Sequence, residues 1–388
     1  MEGFVDNSTS LVEKLPRFVQ LPGLLSSQDY EVVRIVILLI IDPFLYLFGI
    51  TSNVINIRVF CKMGTQDTVS VSFLALSISD LWYLFAQIPV TVCYLPSRFF
   101  SKSVQNTADM PALGIVVSRY SQIPYDFSIF IATYVAVTRC FCVTFPLKFG
   151  GIFTRSRTIM VLCVALATIV ILYIPILSFQ WFSYRFDPRR NVTRLTGSLA
   201  PEWVVWDPIH TTIFKNVYIN ICFITCCIST VILILNLSFA ARTRQKITGG
   251  WEHIGTKPSS AESQTTTMDG TATAGKETSS KEHKSMKGSS SKPDKKTLSS
   301  RDTQVIKSVI LVTLMFICTH IPVVIFVDII KLFEPEFNYL GRYAKLVLSS
   351  FMLARSVVIS SSACNCLVYF NFNTKYRETL KALFSRRE

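Results

Sequence analysis

Ile131–Leu147 reads IATYVAVTRCFCVTFPL, an apolar run at helical spacing that ends in a lone arginine, Arg139, and then in Pro146-Leu147. An arginine costs roughly 2.5–3.5 kcal/mol at the centre of a membrane helix. Arg139 therefore belongs near a membrane face or turned inward to a partner. The run reads as the cytoplasmic end of a membrane helix, its arginine held in a bundle where the partner can change.

The rest of the chain agrees with a lipid setting. Of 388 residues, 50% are hydrophobic. Mean hydropathy is +0.41, higher than soluble domains of this size carry. The formal charge of +14 would by itself allow a nucleic-acid binder. The basic residues, however, sit in the gaps between apolar runs and in the terminal segments, as the positive-inside rule requires, so no nucleic-acid partner is expected. MEGFVDNSTSLVEK at the N-terminus has no basic start joined to an apolar core, so no cleavable signal peptide is expected. The eleven cysteines lie nearly all in apolar runs and read as small buried hydrophobes. Cys140/Cys142 and Cys364/Cys366 lack the ligand set of a zinc site. No nucleophile–base set or phosphate loop is present, so the chain does not read as an enzyme.

A spanning helix needs about 20 apolar residues, and seven candidates occur, at about 31–60, 67–95, 110–141, 156–181, 207–242, 303–332 and 340–370. The sequons at Asn7 and Asn191 fall before the first helix and between the fourth and fifth. With seven crossings both share the face of the N-terminus, which places residues 1–30 outside. The opposite, cytoplasmic face carries Arg58, Lys62, Lys148, Arg155, Arg157 and the basic C-terminal segment. The stretch 246–300 is rich in Ser, Thr, Lys and Gly and reads as a disordered third inner loop. It suits phosphorylation, or serves as a solvated spacer. Beyond the bundle, 372–388 places Phe372, Tyr376, Leu380 and Phe384 at four-residue intervals, an amphipathic helix on the inner leaflet. The fold expected is an all-α membrane protein, a seven-helix bundle over 31–371 with that short helix appended.

Five motifs carry a resemblance. They are Asn53 in GITSNV, Asp80 in LALSISD, Arg139 followed by Pro146-Leu147, Phe316 and Pro322 in FICTHIP, and Asn365 and Tyr369 in NCLVY. In this order the chain resembles a rhodopsin-like G-protein-coupled receptor from about Gly49 to Phe384, outside the third inner loop. It departs from that pattern at several positions. Thr138 replaces the acidic neighbour of the arginine, Cys140 the following tyrosine, His320 the tryptophan of helix six, and Cys366 the proline of helix seven. Helix four lacks its tryptophan, and helix five no internal proline is expected to interrupt. The outer disulfide cannot form, since Gly114 stands near the expected cysteine and residues 182–210 contain none. These departures suggest a divergent invertebrate receptor of chemosensory or neuropeptide type.

The resemblance implies roles for particular residues. Asp80 would lie near Asn53, Ser128, Ser361, Ser362 and Asn365, either coordinating Na⁺ or protonated in a hydrogen-bond network. Arg139 and Thr138, with Asp302, Phe316, His320, Pro322, Asn365 and Tyr369, would form the activation switch. In it Asp302 either latches Arg139 or is a helix N-terminal charge. Pro322 should kink helix six. His320 is a rotamer sensor below the ligand or a satisfied neutral histidine. Arg355, in the outer half of helix seven, should face inward and pair with Asp42, and it could also engage an anionic ligand group. Asp126 has no evident partner, Arg119 being about two turns away on the same helix. The implied ligand pocket is Arg355, Asp42, Gln122, Tyr125, Gln87 and His320. The second outer loop, aromatic and arginine-rich, is a glycan-bearing surface loop or a lid.

The function expected is a plasma-membrane receptor passing an extracellular signal to a heterotrimeric G protein, with kinase and arrestin as further partners through the third inner loop. The lost disulfide favours a small chemosensory molecule, while Pro89 in helix two keeps a neuropeptide ligand open. A transporter or channel, using Asp42, Asp80, Asp126, His320 and Arg355 as a polar path, is the distant alternative, disfavoured by the lack of internal repeats.

Overall fold

The structure, a computed structural model, describes residues 24–252, 300–334, 336–337 and 341–385. Seven long helices pack into a bundle. The first four are α1 (Ser27–Met63), α2 (Thr68–Cys93), α3 (Met110–Thr144) and α4 (Arg155–Ser178). A hairpin of β1 (Gln180–Asp187) and β2 (Val192–Leu199) follows. Next come α5, in the segments Trp203–Ile209, His210–Val217 and Tyr218–Glu252, and α6, in the segments Ser300–Val323, Val324–Ile329 and Ile330–Phe333. The last are α7 (Ala344–Phe372) and the short α8 (Thr374–Phe384). Six of the long helices are apolar enough over sufficient length to cross a membrane, and α6 supplies a shorter apolar stretch, Val309–Pro322. The chain is a multi-pass helical membrane protein.

Local chemistry sets the helix starts. Asp67 caps α2 by accepting from the Ser70 amide at 2.7 Å, and Asn373 caps α8 by accepting from the Tyr376 amide at 3.0 Å. Gly64, at φ 81°, ends α1 in a backbone conformation costly for other residues. Helix five departs most from expectation. It begins at Trp203, just after Pro201, and runs to Glu252 rather than ending near 242. The run Ala240–Lys246 holds good helix formers that prolong it into the stretch read as disordered. Residues 253–299 lie outside the described residues. The earlier start also puts Pro208 inside the helix, correcting the expectation of no internal proline.

Three helices contain a wide π turn: Val36–Ile41 in α1, His210–Val217 in α5 and Val324–Ile329 in α6. Each lies two residues from a proline, Pro43, Pro208 or Pro322. Proline removes one backbone donor and its ring crowds the preceding turn, and in lipid the freed carbonyl must be satisfied by local rearrangement. Pro89, Pro124 and Pro175 lie within regular helix instead.

The tightest packing is in the inner half. Tyr369, fully buried, sits among Phe73 at 4.8 Å, Phe60 at 5.1 Å and Tyr376 at 5.8 Å between ring centroids. Tyr376 ties α8 beneath the bundle by donating to Asn56 Oδ1 at 2.6 Å. Of the amphipathic stripe, Tyr376 is buried and Leu380 packs on the core, but Phe384 is exposed. Leu383 takes up the packing instead.

The second outer loop is a hairpin, not an irregular loop. Its turn follows Asp187-Pro188 and closes at Asn191, whose φ of 52° is a conformation asparagine tolerates. That residue is exposed. Asn7 lies outside the described residues. All eleven cysteines are free, so polar contacts hold the hairpin on α3. The Asp109 amide donates to Leu195 O at 2.8 Å. Arg194 spans Asp109 and Asp187, 2.9 Å from each. Gln180 Nε2 donates to Val116 O at 3.2 Å. Gly197 makes the approach possible, because a Cβ there would strike the Ala112 carbonyl and lie 2.7 Å from Val116 Cγ2. Gly114, near the expected cysteine position, serves α2–α3 packing: a Cβ on it would lie 3.0 Å from Cys93 Cβ.

Gly197→Val should lower stability by about 1–3 kcal/mol, the usual cost of overpacking. Dithiothreitol should leave the melting temperature of the wild type unchanged. Thermal unfolding in detergent measures both; a melting point that falls with the reductant contradicts the disulfide-free hairpin.

Candidate functional site

A chain of buried polar groups runs from the outer half of the bundle to its centre. At the outer end, α7 turns Arg355 inward, and its guanidinium forms an ion pair with Asp42 of α1. Asp42 is wholly buried and also accepts from Ser356 Oγ at 2.6 Å. Arg355 Nη1 donates to Thr91 Oγ1 at 3.1 Å, and Thr91 shares a 2.5 Å hydrogen bond with Tyr46. The π turn before Asp42 ends at Ile41, so it sets the rotation at which this carboxylate faces α7. Arg355 Nε is buried without a partner among the described residues.

The chain continues through α2 and α3. Tyr46 donates to Gln87 O at 3.4 Å, and Gln87 Nε2 donates to Ser121 Oγ at 3.2 Å. One turn earlier on α2 stands Tyr83, whose ring lies 5.5 Å from that of Tyr125. The Tyr125 hydroxyl reaches His320 Nδ1 at 3.3 Å. His320 is 1% exposed and stacks on Phe316 at 5.1 Å, while its Nε2 has no partner.

Below His320 lies a small cavity of about 40 Å³, bordered by Asp80, Tyr125, Ser128, Ser361, Ser362 and Asn365 among others. Asp80 Oδ1 accepts from Ser128 Oγ at 2.9 Å, and Oδ2 accepts from Asn365 Nδ2 at 2.8 Å. Ser362 also borders the cavity beside the carboxylate. Asn53 stands one step back: its Nδ2 donates to Gly49 O and Ser362 O, both at 2.9 Å, and its Oδ1 is buried without a partner. A water needs about 10–15 Å³ of such space, so the cavity has room for a small hydrated ion.

The implied pocket and switch residues thus fall into separate places. Arg355, Asp42 and Gln87 lie along the upper chain, and Tyr125 and His320 at its lower end. Gln122 faces a different cluster, accepting a hydrogen bond from Lys215 of α5. Thr138 is buried and donates to Val135 O at 3.0 Å within its own helix. Arg139 is half-buried at the inner end of α3. The Asp302 side chain, and with it the Arg139–Asp302 latch, lies outside the described residues.

Sequence reasoning left Asp126 without a partner; the structure supplies one. Tyr173 of α4 donates to Asp126 Oδ2 at 2.6 Å, and Lys215 lies within electrostatic reach. Arg119 turns away to pair with Asp207 of α5 and lies 5.8 Å from the Trp203 ring. Lys215 was the missed signal, a lone cation in an apolar run. Tyr173 carried none, because a tyrosine in a membrane helix is ordinary.

This geometry sits in a chain with a recognisable C-terminal part. Residues 278–387 match the family model of the serpentine type 7TM GPCR chemoreceptor Srw. The match takes in α6, α7 and α8. No curated protein matches the chain. The similarity supports a membrane chemoreceptor of the G-protein-coupled type.

Removing either partner of a buried ion pair costs about 3–5 kcal/mol, because the other charge is left stranded. Asp42→Leu and Arg355→Met should each show a loss of that order in thermal unfolding. The double variant Asp42→Leu/Arg355→Met should recover more than half of it. Simple additivity of the two losses would mean that the pair does not couple α1 to α7.

Proposed function

We propose that this protein is a plasma-membrane receptor for a small chemosensory molecule, with its N-terminus outside and its C-terminus in the cytoplasm, acting on a heterotrimeric G protein. The observation that carries this reading is the buried polar chain from Arg355 to Asp80, which joins the outer half of the bundle to the residues around Asn365 and Tyr369. The family match over the last three helices supports the same class of receptor.

In this mechanism the ligand enters from the outer side and competes for Arg355, Gln87 and Tyr125. Arg355 has one unpartnered nitrogen, so an acceptor on the ligand completes its hydrogen bonds. Shifting Arg355 or Tyr125 changes what His320 touches, and His320 sits on α6 beside Phe316. The ligand biases a population between two bundle arrangements by binding one better than the other. Outward movement of α6 then opens the inner face around Arg139 and Thr138 to the G protein, with Pro322 and its π turn as the pivot. The Ser/Thr-rich third inner loop supplies kinase and arrestin sites, and Asn191 carries a glycan.

A sodium ion fits the Asp80 site as an allosteric partner. A hard cation takes oxygen ligands, and Asp80, Ser128, Ser361 and Ser362 offer them around a cavity of suitable size. The buried, partnerless Asn53 Oδ1 adds an unsatisfied acceptor to the neighbourhood. When bound, the ion neutralises the carboxylate and holds α2, α3 and α7 together.

Membranes from cells expressing the receptor should catalyse guanine-nucleotide exchange on at least one G protein when given pooled small odorants and metabolites. His320→Ala should cut that response at least tenfold while leaving surface expression intact. No exchange on any G protein, together with ion current or solute flux in proteoliposomes, would replace this reading with transport.

Sodium should raise the melting temperature of the purified wild type relative to choline, since a ligand of the folded state stabilises it by mass action. Asp80→Asn should abolish the difference. Equal sensitivity in the two proteins would remove the ion from Asp80.

A further inference from the structure

A second, larger cavity of about 640 Å³ opens on the opposite flank of α3, between α4 and α5. α4 packs on α3 and meets the first turns of α5, then parts from the rest of that helix. The walls of the gap are aliphatic and outward-facing: Val164 of α4 is 60% exposed, and Ile213 and Val217 of α5 are 56% and 51% exposed. In a multi-pass protein these positions face lipid, so the cavity opens sideways into the bilayer.

Its floor is polar and incompletely satisfied. Asp126 and His210 are 3% and 4% exposed, yet among the described residues Asp126 Oδ1 and His210 Nδ1 have no hydrogen-bond partner. Tyr173 is already spent on Asp126 Oδ2, and its ring meets that of His210 edge-on at 4.5 Å. The π turn His210–Val217 starts at this histidine and includes Lys215, so a local widening of α5 aims both side chains at the cavity. Wide turns of this kind recur at functional sites. A buried polar atom left unpaired is costly, and a bound head group would recover that cost.

The charges select the head group. Asp126 and Asp207 are balanced by Lys215 and Arg119. A carboxylate or an amine brought in beside them would upset that balance in a medium that screens little. An ionised carboxylate only accepts, whereas a hydroxyl both donates and accepts. We propose that this cavity binds a neutral membrane lipid with a single hydroxyl head, of the sterol or long-chain alcohol kind, taken up from the bilayer. The hydroxyl donates to Asp126 Oδ1 and accepts from His210 Nδ1–H, and the apolar body lies between Val164 and Ile213. A volume of 640 Å³ is within the usual range of about 300–1,000 Å³ for small-molecule sites. The site is separate from the chain that joins Arg355 to Asp80 and does not depend on the signalling reading.

The test is photolabelling of the full-length protein in lipid nanodiscs with two alkyne-tagged diazirine probes, a 3-hydroxysterol and hexadecanoic acid. The sterol should label peptides of α4 and α5 in preference to the other helices, and excess unlabelled sterol should compete. His210→Phe keeps the aromatic packing but loses the polar atoms, and should reduce labelling about tenfold, the worth of one well-made hydrogen bond in a buried site. Val164→Trp fills the mouth of the cavity from an exposed position, where folding is spared, and should reduce labelling at least as much. Labelling spread evenly over all helices, labelling unchanged by Val164→Trp, or equal labelling by the fatty acid would each overturn the proposal.

Discussion

A charge in the hydrocarbon region must find its partner inside the protein, and this requirement determines how the helices of this bundle stand to one another. Asp42 and Arg355 join α1 to α7. Asp80, Ser128 and Asn365 join α2, α3 and α7. Asp126 and Tyr173 join α3 to α4, and Arg119 and Asp207 join α3 to α5. Apolar side chains cannot supply the same specificity, because lipid tails are as apolar as leucine. The hydrophobic surface puts the helices in the membrane, and the few polar contacts determine their rotation and neighbours. The cost of a stranded charge makes each wrong pairing unfavourable, so a small number of residues suffices.

Proline acts on the same contacts from the backbone. Pro43, Pro208 and Pro322 each lie beside a π turn, and each turn precedes or contains a residue of a polar cluster or a proposed pivot. An extra residue in one turn rotates everything beyond it by roughly a hundred degrees, the angle per residue of a helix with 3.6 residues per turn. Asp42 thereby reaches α7, and His210 and Lys215 reach the floor under α4. A regular helix with the same sequence would turn these side chains toward lipid, where their burial could not be offset.

Much of this was legible in the sequence, for a physical reason. A lone charge in an apolar run announces itself, so Asp42 and Arg355 could be expected to meet, and the Asp80 cluster could be placed from its motifs. Tyr173 and His210 could not be so placed. A tyrosine sits in a membrane helix without special cause, and the place of His210 at the cavity floor depends on the π turn that starts there. The hairpin was hidden because QWFSYRFD mixes charges with aromatics and VTRLTGSL is largely small and polar, and their alternation is set by α3 beneath rather than by a core of their own. Helix five was read too short because helix propensity, not hydropathy, carries it past the bilayer to Glu252.

Both ends of the polar chain are held more firmly than its middle, and the proposed receptor action depends on that difference. At the inner end Tyr369 is fixed by Phe60, Phe73 and Tyr376 on all sides, with α8 tied beneath. At the outer end Asp42 accepts from both Arg355 and Ser356. Between them His320 has one long contact to Tyr125 at 3.3 Å, an unused Nε2 and an adjoining cavity of about 40 Å³. Dense packing resists rotamer change, whereas a void beside a weakly bonded ring lowers the cost of turning it. The weakest point in the chain therefore lies on α6, the helix whose outward movement the proposed mechanism requires, and it is flanked by rigid anchors. A perturbation at either anchor therefore meets its least resistance at His320.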